Sequence, residues 1–74
     1  MLEFKKQGGF SVRVAVREFK GKAFVDIRTF YQDEAGNYKP TPRGVTIPLN
    51  MFPEFISQLT NLDTTKIDKD PEIV

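Results

Sequence analysis

Polar and apolar residues alternate through the first half of the chain, in a pattern that predicts a pair of β-strands. From Phe10 to Phe19, one parity includes Val12 and Val14, whereas the other parity is mostly polar. A period of two with β-branched residues is typical of a half-buried strand. Lys20-Gly21 has the composition of a two-residue hairpin turn, in which Gly supplies the positive φ angle. A second strand is therefore predicted from Lys22 to Gln32.

The two-residue turn also predicts how these strands pair. A turn of this length places Phe19 opposite Lys22, and the register then continues so that Arg13 faces Arg28. One face of the pair, the valine face, is predicted to be the core: Phe10, Val12, Val14, Val16, Ala23, Val25 and Ile27. The opposite face, the arginine face, is basic and aromatic: Arg13, Arg17, Phe19, Lys22, Phe24, Asp26, Arg28 and Phe30.

Shorter strands are expected on both sides of this hairpin. Residues 2–7 form a possible first strand, and residues 37–39 can return as a short strand after the Asp33–Gly36 turn. Pro40 and Pro42 are expected to break or bend the chain, because proline lacks a ladder donor. A last short strand, near the sheet edge, is predicted for residues 44–48.

One helix is predicted after this strand. Asn50 is the expected N-cap, and Pro53 is tolerated in the first helical turn. Apolar residues then recur at three-and-four spacing: Phe52, Phe55, Ile56, Leu59 and Leu62. This stripe is wide enough to cover the valine face and also to meet the same helix of a second subunit. We therefore assign a dimer interface to Phe52, Phe55, Ile56 and Leu59.

Length and composition favour a single small binding domain. A chain of 74 residues is only marginally stable alone, so oligomerisation is the expected source of further buried surface. The chain has no Cys and no His, which argues against a zinc site, a cofactor and nucleophilic catalysis. We expect no metal and no enzymatic activity. Because the sequence has neither a long apolar run nor a signal peptide, we expect an intracellular protein without membrane partners.

The charge is divided unevenly along the chain. Residues 1–43 carry nine Lys or Arg against five Asp or Glu, whereas residues 44–74 carry two against five. The net charges are therefore +4 and −3, which suggests a polyanion-binding surface followed by an acidic end. We divide the chain into a binding domain over residues 1–62 and an acidic flexible tail over residues 63–74.

The arginine face is the strongest candidate site. Arg13 opposite Arg28 is a like-charge pair, which is destabilising unless an anion lies between them. Asp26 can neutralise part of this cluster as an ordinary surface network, but one carboxylate cannot satisfy three guanidiniums. The sequence therefore favours bound phosphates. At the hairpin tip, Phe19 can stack on a base between Lys20 and Lys22, although a simple solubilising turn is the alternative.

The motifs Arg17-Glu18-Phe19-Lys20-Gly21-Lys22 and Asp26-Ile27-Arg28, with Lys39-Pro40 and Arg43-Gly44 following, resemble the transcriptional positive cofactor four family. The resemblance implies an α+β fold: a four-stranded, strongly curved antiparallel sheet and one C-terminal helix, dimerising through the helices. It also implies sequence-tolerant binding of single-stranded DNA through Arg17, Phe19, Lys20, Lys22, Arg28, Tyr31, Lys39 and Arg43, to which the arginine face adds Arg13. Tyr31 replaces a frequent Trp, and Thr41-Pro42 replaces a Gly and one basic residue.

Two other functions remain open at this point. The acidic tail ends in Glu72-Ile73-Val74, which weakly resembles the tails by which bacterial single-strand-binding proteins recruit partners. The chain is alternatively an adaptor that recruits replication, recombination or transcription proteins, or an RNA-binding protein. We expect a cytoplasmic or nucleoid-associated protein if the source is bacterial or viral, and a nuclear one if it is eukaryotic.

Overall fold

A computed structural model describes residues 1–67 and Lys69, and its strands follow the alternation in the sequence. The strands are β1 (Leu2–Lys5), β2 (Phe10–Phe19), β3 (Lys22–Gln32) and β4 (Tyr38–Pro48), and the helix is α1 (Phe52–Thr60). The strands form one antiparallel sheet in chain order, so that β1 and β4 are its edges. The predicted α+β fold, a four-stranded antiparallel sheet followed by one helix, is confirmed.

The β2–β3 hairpin has the predicted turn and register. Lys20 and Gly21 both have positive φ angles, 51° and 77°, as the two central residues of a type I′ turn require. Phe19 pairs with Lys22, and the register continues until Arg13 lies opposite Arg28. The local chemistry of the turn therefore positions the two long strands.

The prolines of β4 coincide with a bulge, which bends a strand without breaking it, so the expectation of two separate short strands was wrong. β4 runs without interruption from Tyr38 to Pro48. Its register shifts where the pair Arg28–Gly44 gives way to the pair Phe30–Pro40. Residues 41–43 of β4 lie in this bulge, opposite Thr29 of β3. Pro42 is therefore at a position where the regular ladder requires no backbone donor. An edge strand with a bulge is the place where a sheet accepts proline.

The start of the helix also differs from its prediction. Asn50 lies inside a 3₁₀ turn, Leu49–Met51, and is not the N-cap. Met51 occupies that position without a side-chain hydrogen bond, and Pro53 lies in the first turn of α1. Because the 3₁₀ turn continues directly into the helix, the helix begins without a side-chain N-cap hydrogen bond. The helix ends at Thr60, before Leu62.

Side chains are buried at the centre of both faces of the sheet, so the expectation of one core face was wrong. On the valine face, Val25 is 2% exposed, and on the arginine face Phe30 is 8% exposed and Asp26 is 6% exposed. Arginine side chains lie across the second face and cover its centre. Near the β2–β3 turn the valine face is open by comparison, and Val16 there is 66% exposed.

Candidate nucleic-acid interface

The tip of the β2–β3 hairpin presents an aromatic ring among cations. Phe19 is 57% exposed, and Nζ of Lys20 lies 5.3 Å from the centre of its ring. Lys22, also exposed, is the cross-strand partner of Phe19. Arg17 lies two residues before Phe19 on the same face and is half exposed, although its Nε donates to Oδ2 of Asp26 at 3.2 Å. The hairpin therefore brings four of the predicted site residues together.

Arg13 is held within the protein. Its Nε donates to Oε2 of Glu3 at 3.0 Å. Its guanidinium carbon lies 4.8 Å from the centre of the Phe30 ring and 4.9 Å from that of Tyr38. The Glu3 contact was not anticipated, because it depends on β1 pairing with β2.

Arg28 is similarly committed to internal partners. It donates from Nε and Nη2 to the two carboxylate oxygens of Asp26, at 3.3 and 3.1 Å. Its Nη1 donates to the backbone carbonyl of Thr41 at 2.9 Å. Separate carboxylates therefore compensate Arg13 and Arg28, and the fold does not require a bound anion between them. The premise that one carboxylate must neutralise all three guanidiniums was wrong, and phosphate binding at this cluster stays a prediction.

Glu3 is an acceptor for two side chains. In addition to Arg13, the hydroxyl of the fully buried Ser11 donates to Oε2 of Glu3 at 3.1 Å. The hydrogen bond from Arg13, followed by that from Ser11, lowers the pKa of the Glu3 carboxyl. Both bonds favour the charged form, so Glu3 remains a carboxylate that links β1 to β2.

The other predicted site residues lie elsewhere on the sheet. Tyr31 is paired with Lys39 on β4 and with Phe10 on β2, which places it on the valine face. Nζ of Lys39 lies 3.6 Å from Oδ2 of Asp33, and Arg43 is exposed in the β4 bulge. Apart from Arg13 and Arg28, which lie between them, the predicted contacts thus form two groups, one at the hairpin tip and one towards the opposite end of β3, about 20–30 Å away along the strand.

An open cleft accompanies the second group. It has a volume of about 410 Å³ and is lined by Phe10, Thr29, Tyr31, Thr41 and Arg43. Phe10 was assigned to the core, but it is 41% exposed, as is Tyr31. The alternation in the sequence correctly identified the face of the sheet on which Phe10 lies, but not how exposed this end of the face is. The register Phe10–Tyr31, which follows from the hairpin, is the signal that pairs the two rings.

The predicted dimer residues all lie on α1 but differ in exposure. The rings of Phe52 and Phe55 are half-buried and stacked, with centroids 6.1 Å apart. Phe52 lies near Val16 and Val25 of the sheet. Ile56 and Leu59 are exposed. The helix therefore turns one side towards its own sheet without fully covering it, and presents apolar residues to solvent with another side.

The predicted acidic tail falls partly outside the described residues. Asp63 accepts hydrogen bonds from the backbone N–H and the hydroxyl of Thr65, which lower the pKa of the Asp63 carboxyl. Asp68 and residues 70–74, including Glu72-Ile73-Val74, lie outside. The role of the tail stays a prediction.

Residues 1–67 and Lys69 contain neither a membrane-spanning helix nor a metal-binding cluster. This part of the chain has no helix with the length and apolar character needed to cross a membrane. Nor does it contain a group of three acidic side chains arranged to hold a metal ion.

Comparison with known proteins identifies a family. The chain matches the family model of the transcriptional coactivator p15 (PC4) over residues 6–58. It is 32% identical over 56 residues to the RNA polymerase II transcriptional coactivator SUB1 of Saccharomyces cerevisiae. That alignment covers 74% of this chain but 19% of the yeast protein, so the chain spans about a fifth of the length of this relative.

Solved structures have the same fold. The crystal structure of a PC4 homologue from Burkholderia pseudomallei superposes with a TM-score of 0.76 at 25% identity, covering 81% of each chain. A bacteriophage T5 homologue of the eukaryotic transcription coactivator PC4, implicated in recombination-dependent DNA replication, superposes with a TM-score of 0.58 at 30% identity. This second match covers 80% of the present chain and 65% of the phage chain.

These matches confirm the resemblance inferred from the Arg17–Lys22 and Asp26–Arg28 motifs. Members of the matched family are coactivators rather than enzymes, which confirms the expectation of a non-enzymatic protein. By the extent of the family match and by its identity to the yeast coactivator, the chain belongs to the transcriptional coactivator p15 (PC4) family.

Proposed function

We propose that the chain binds single-stranded DNA without sequence preference. The observation that carries this proposal is the exposed ring of Phe19 between Lys20 and Lys22 at the hairpin tip. Proteins that bind single strands combine basic surfaces with aromatic rings on which successive bases stack. Every base has a face that can stack, so this chemistry recognises an unpaired strand without reading its sequence.

The free cations of the sheet support the same function. Lys20, Lys22 and Arg43 are exposed and belong to none of the ion pairs among the described residues. Lys39 is exposed beside Asp33 at 3.6 Å, a separation at which a surface pair contributes little. We expect these side chains to meet phosphates. Arg13 and Arg28 are also predicted contacts, but their internal partners make them weaker candidates.

The relatives suggest the processes served. The yeast relative is a transcriptional coactivator, and the phage relative is implicated in recombination-dependent DNA replication. We propose that this chain acts in replication, recombination or transcription, and hence wherever its cell or virus holds DNA. Recruitment of proteins by the acidic tail remains the alternative in which DNA binding is incidental.

The binding proposal is tested by fluorescence anisotropy with labelled single-stranded DNA, duplex DNA and RNA of one sequence at two salt concentrations. We expect the single strand to bind more tightly than the duplex, with an affinity that falls as salt rises because bound counterions are released. Equal affinity for RNA would favour the RNA-binding alternative. Negligible binding of every nucleic acid would overturn the proposal and favour the adaptor.

We further propose that the chain is a homodimer whose interface includes α1. Among the described residues, only Val25 and Phe30 are buried hydrophobic side chains, whereas Ile56 and Leu59 on α1 are exposed. The radius of gyration is 14.7 Å, compared with about 11 Å for a compact chain of this length. A single chain with so open a fold buries little apolar surface. A second copy that covers α1 and the adjacent sheet would supply the missing burial.

The dimer is tested by light scattering at low micromolar concentration. We expect the wild-type protein to have the mass of two chains and Leu59→Glu to shift it to one. Ser57→Glu is the matched control, because it adds the same charge to α1 at an exposed polar position. A wild-type protein that scatters as a single chain would contradict the proposal.

A further inference from the structure

Two aromatic rings are opposed at the end of the sheet that lies away from the helix. Phe10 on β2 is the direct cross-strand partner of Tyr31 on β3, and the two side chains are equally exposed. Directly opposed residues have Cβ atoms about 5 Å apart, close enough for their rings to form one aromatic wall. Phe52 of α1 lies near Val16 and Val25, towards the other end of this face, and none of the five residues that line the cleft belongs to the helix.

The position of Phe10 is set by the turn before it. The backbone N–H of Lys6 donates to the carbonyl of Phe10 at 2.8 Å and closes the β1–β2 connection. Gly8, with a φ of 78°, lies so close to Phe10 that a Cβ there would be 3.6 Å from the ring. The turn therefore supports one side of the ring and leaves another facing the cleft.

The second wall of the cleft is the β4 bulge, which carries Arg43. The Thr41 hydroxyl donates to the carbonyl of Thr29 at 2.7 Å and accepts a hydrogen bond from the backbone N–H of Arg43 at 3.1 Å. The carbonyl of Thr41 is held by Arg28. The backbone at Arg43 is thus fixed, while its guanidinium takes part in no ion pair among the described residues.

The family resemblance already implies DNA contacts at Tyr31 and Arg43. We propose that Phe10 completes a nucleobase subsite in this cleft: its ring stacks on the same base as Tyr31, while Arg43 binds the adjoining phosphate. The proposal rests on the proposed single-strand binding and adds Phe10 to its site. The volume of about 410 Å³ lies within the range of small-ligand pockets, about 300–1,000 Å³. An aromatic wall beside an uncommitted guanidinium offers both the stacking and the charge that one nucleotide requires.

The test compares two phenylalanines of the same face. Phe10→Ala should weaken binding of a short labelled single-stranded oligonucleotide by about 5- to 150-fold, the equivalent of one lost stack. The slope of log K against log salt should not change, because no charge is removed. Phe4→Ala is the matched control: Phe4 is also exposed on the valine face, as the partner of Val12, but it does not line the cleft.

A second readout separates stacking from loss of structure. The chain has no Trp and two Tyr, so Tyr38→Phe leaves Tyr31 as the sole tyrosine fluorophore. In that background, saturating DNA should quench the Tyr31 emission, and Phe10→Ala should reduce the quenching while Phe10→Tyr retains the affinity. Thermal unfolding of each variant identifies any that fails to fold, and Phe10→Leu then replaces the alanine variant.

The outcomes distinguish the two proposals. If the wild-type protein binds no single-stranded DNA, the proposed function and this subsite both fail. If the wild-type protein binds, but Phe10→Ala and Phe4→Ala have the same affinity and Tyr31 is not quenched, the function stands and the subsite is wrong. A selective loss in Phe10→Ala, with reduced quenching, supports the subsite.

Discussion

Arg13 and Glu3 form an ion pair across β1 and β2, with Nε and Oε2 3.0 Å apart. The same guanidinium lies between the rings of Phe30 on β3 and Tyr38 on β4. One side chain therefore connects all four strands of the sheet. The pair also explains how Arg13 tolerates Arg28 as its cross-strand partner, because each guanidinium has a carboxylate of its own.

Glu3→Gln should destabilise the protein at neutral pH and flatten its acid sensitivity. The pKa of Glu3 is lowered in the folded state, so its carboxylate contributes stability above its ordinary pKa of 4.5. That contribution is lost as the pH falls through the lowered value. Urea unfolding at pH 7 and pH 3 measures both effects, with Glu18→Gln as a control at an exposed glutamate of β2. An unchanged midpoint at pH 7 would contradict this role for Glu3.

Phe19→Ala should weaken single-stranded DNA binding by about 1–3 kcal/mol for any sequence, because one base loses its stacking partner. Lys20→Gln instead removes a charge, and should reduce the slope of log K against log salt by about 0.7. Anisotropy titrations over a range of salt concentrations separate the two effects. Phe19→Tyr keeps the ring and should bind nearly as well as the wild type. An unchanged affinity in Phe19→Ala would remove the hairpin tip from the site.

Arg28→Ala should act mainly on stability. Its loss leaves the buried carboxylate of Asp26 with Arg17 as its remaining charged partner, and an under-satisfied buried acceptor costs about 1–3 kcal/mol. Arg17→Ala removes a half-exposed side chain and should cost about 1 kcal/mol or less. Urea unfolding of the two variants gives the comparison. Equal losses of stability would show that Arg28 is no more structural than Arg17.

Gly44→Ala should destabilise the sheet because β4 approaches β3 too closely for a Cβ. A Cβ at Gly44 would lie 2.8 Å from the carbonyl oxygen of Ile27 and 3.1 Å from Cα of Arg28. Backbone atoms cannot move aside cheaply, so we expect a loss of about 1–3 kcal/mol. Gly21→Asn should cost less, since a Cβ there meets nothing within 4 Å and Asn tolerates a positive φ. Thermal unfolding that reversed this order would refute the explanation.

The two strands that carry most of the candidate site, and their pairing, could be predicted from the sequence. The alternation from Phe10 and the Lys20-Gly21 turn were enough to predict β2, β3 and the pairing of Arg13 with Arg28. The turn is a local feature, and its length determines the register of everything that follows it. The same register places Tyr31 opposite Phe10, on the valine face.

The side chains and strands that pack around this hairpin could not be predicted in the same way. Glu3 becomes the partner of Arg13 only because β1 pairs with β2, and residues 2–7 carry too weak a pattern to establish that pairing. The prolines of β4 likewise suggested two separate short strands, because the sequence does not show that a bulge opposite Thr29 would accommodate them within one strand.

The hairpin, its register and the family could all be inferred from the sequence, because turn chemistry and side-chain alternation act between neighbouring residues. Which cations are free depends on how the strands pack together. Arg13 and Arg28 are committed to Glu3 and Asp26, whereas Arg43 stands beside an open aromatic cleft. The reason is physical: the availability of a charge depends on what the other strands place within about 4 Å of it.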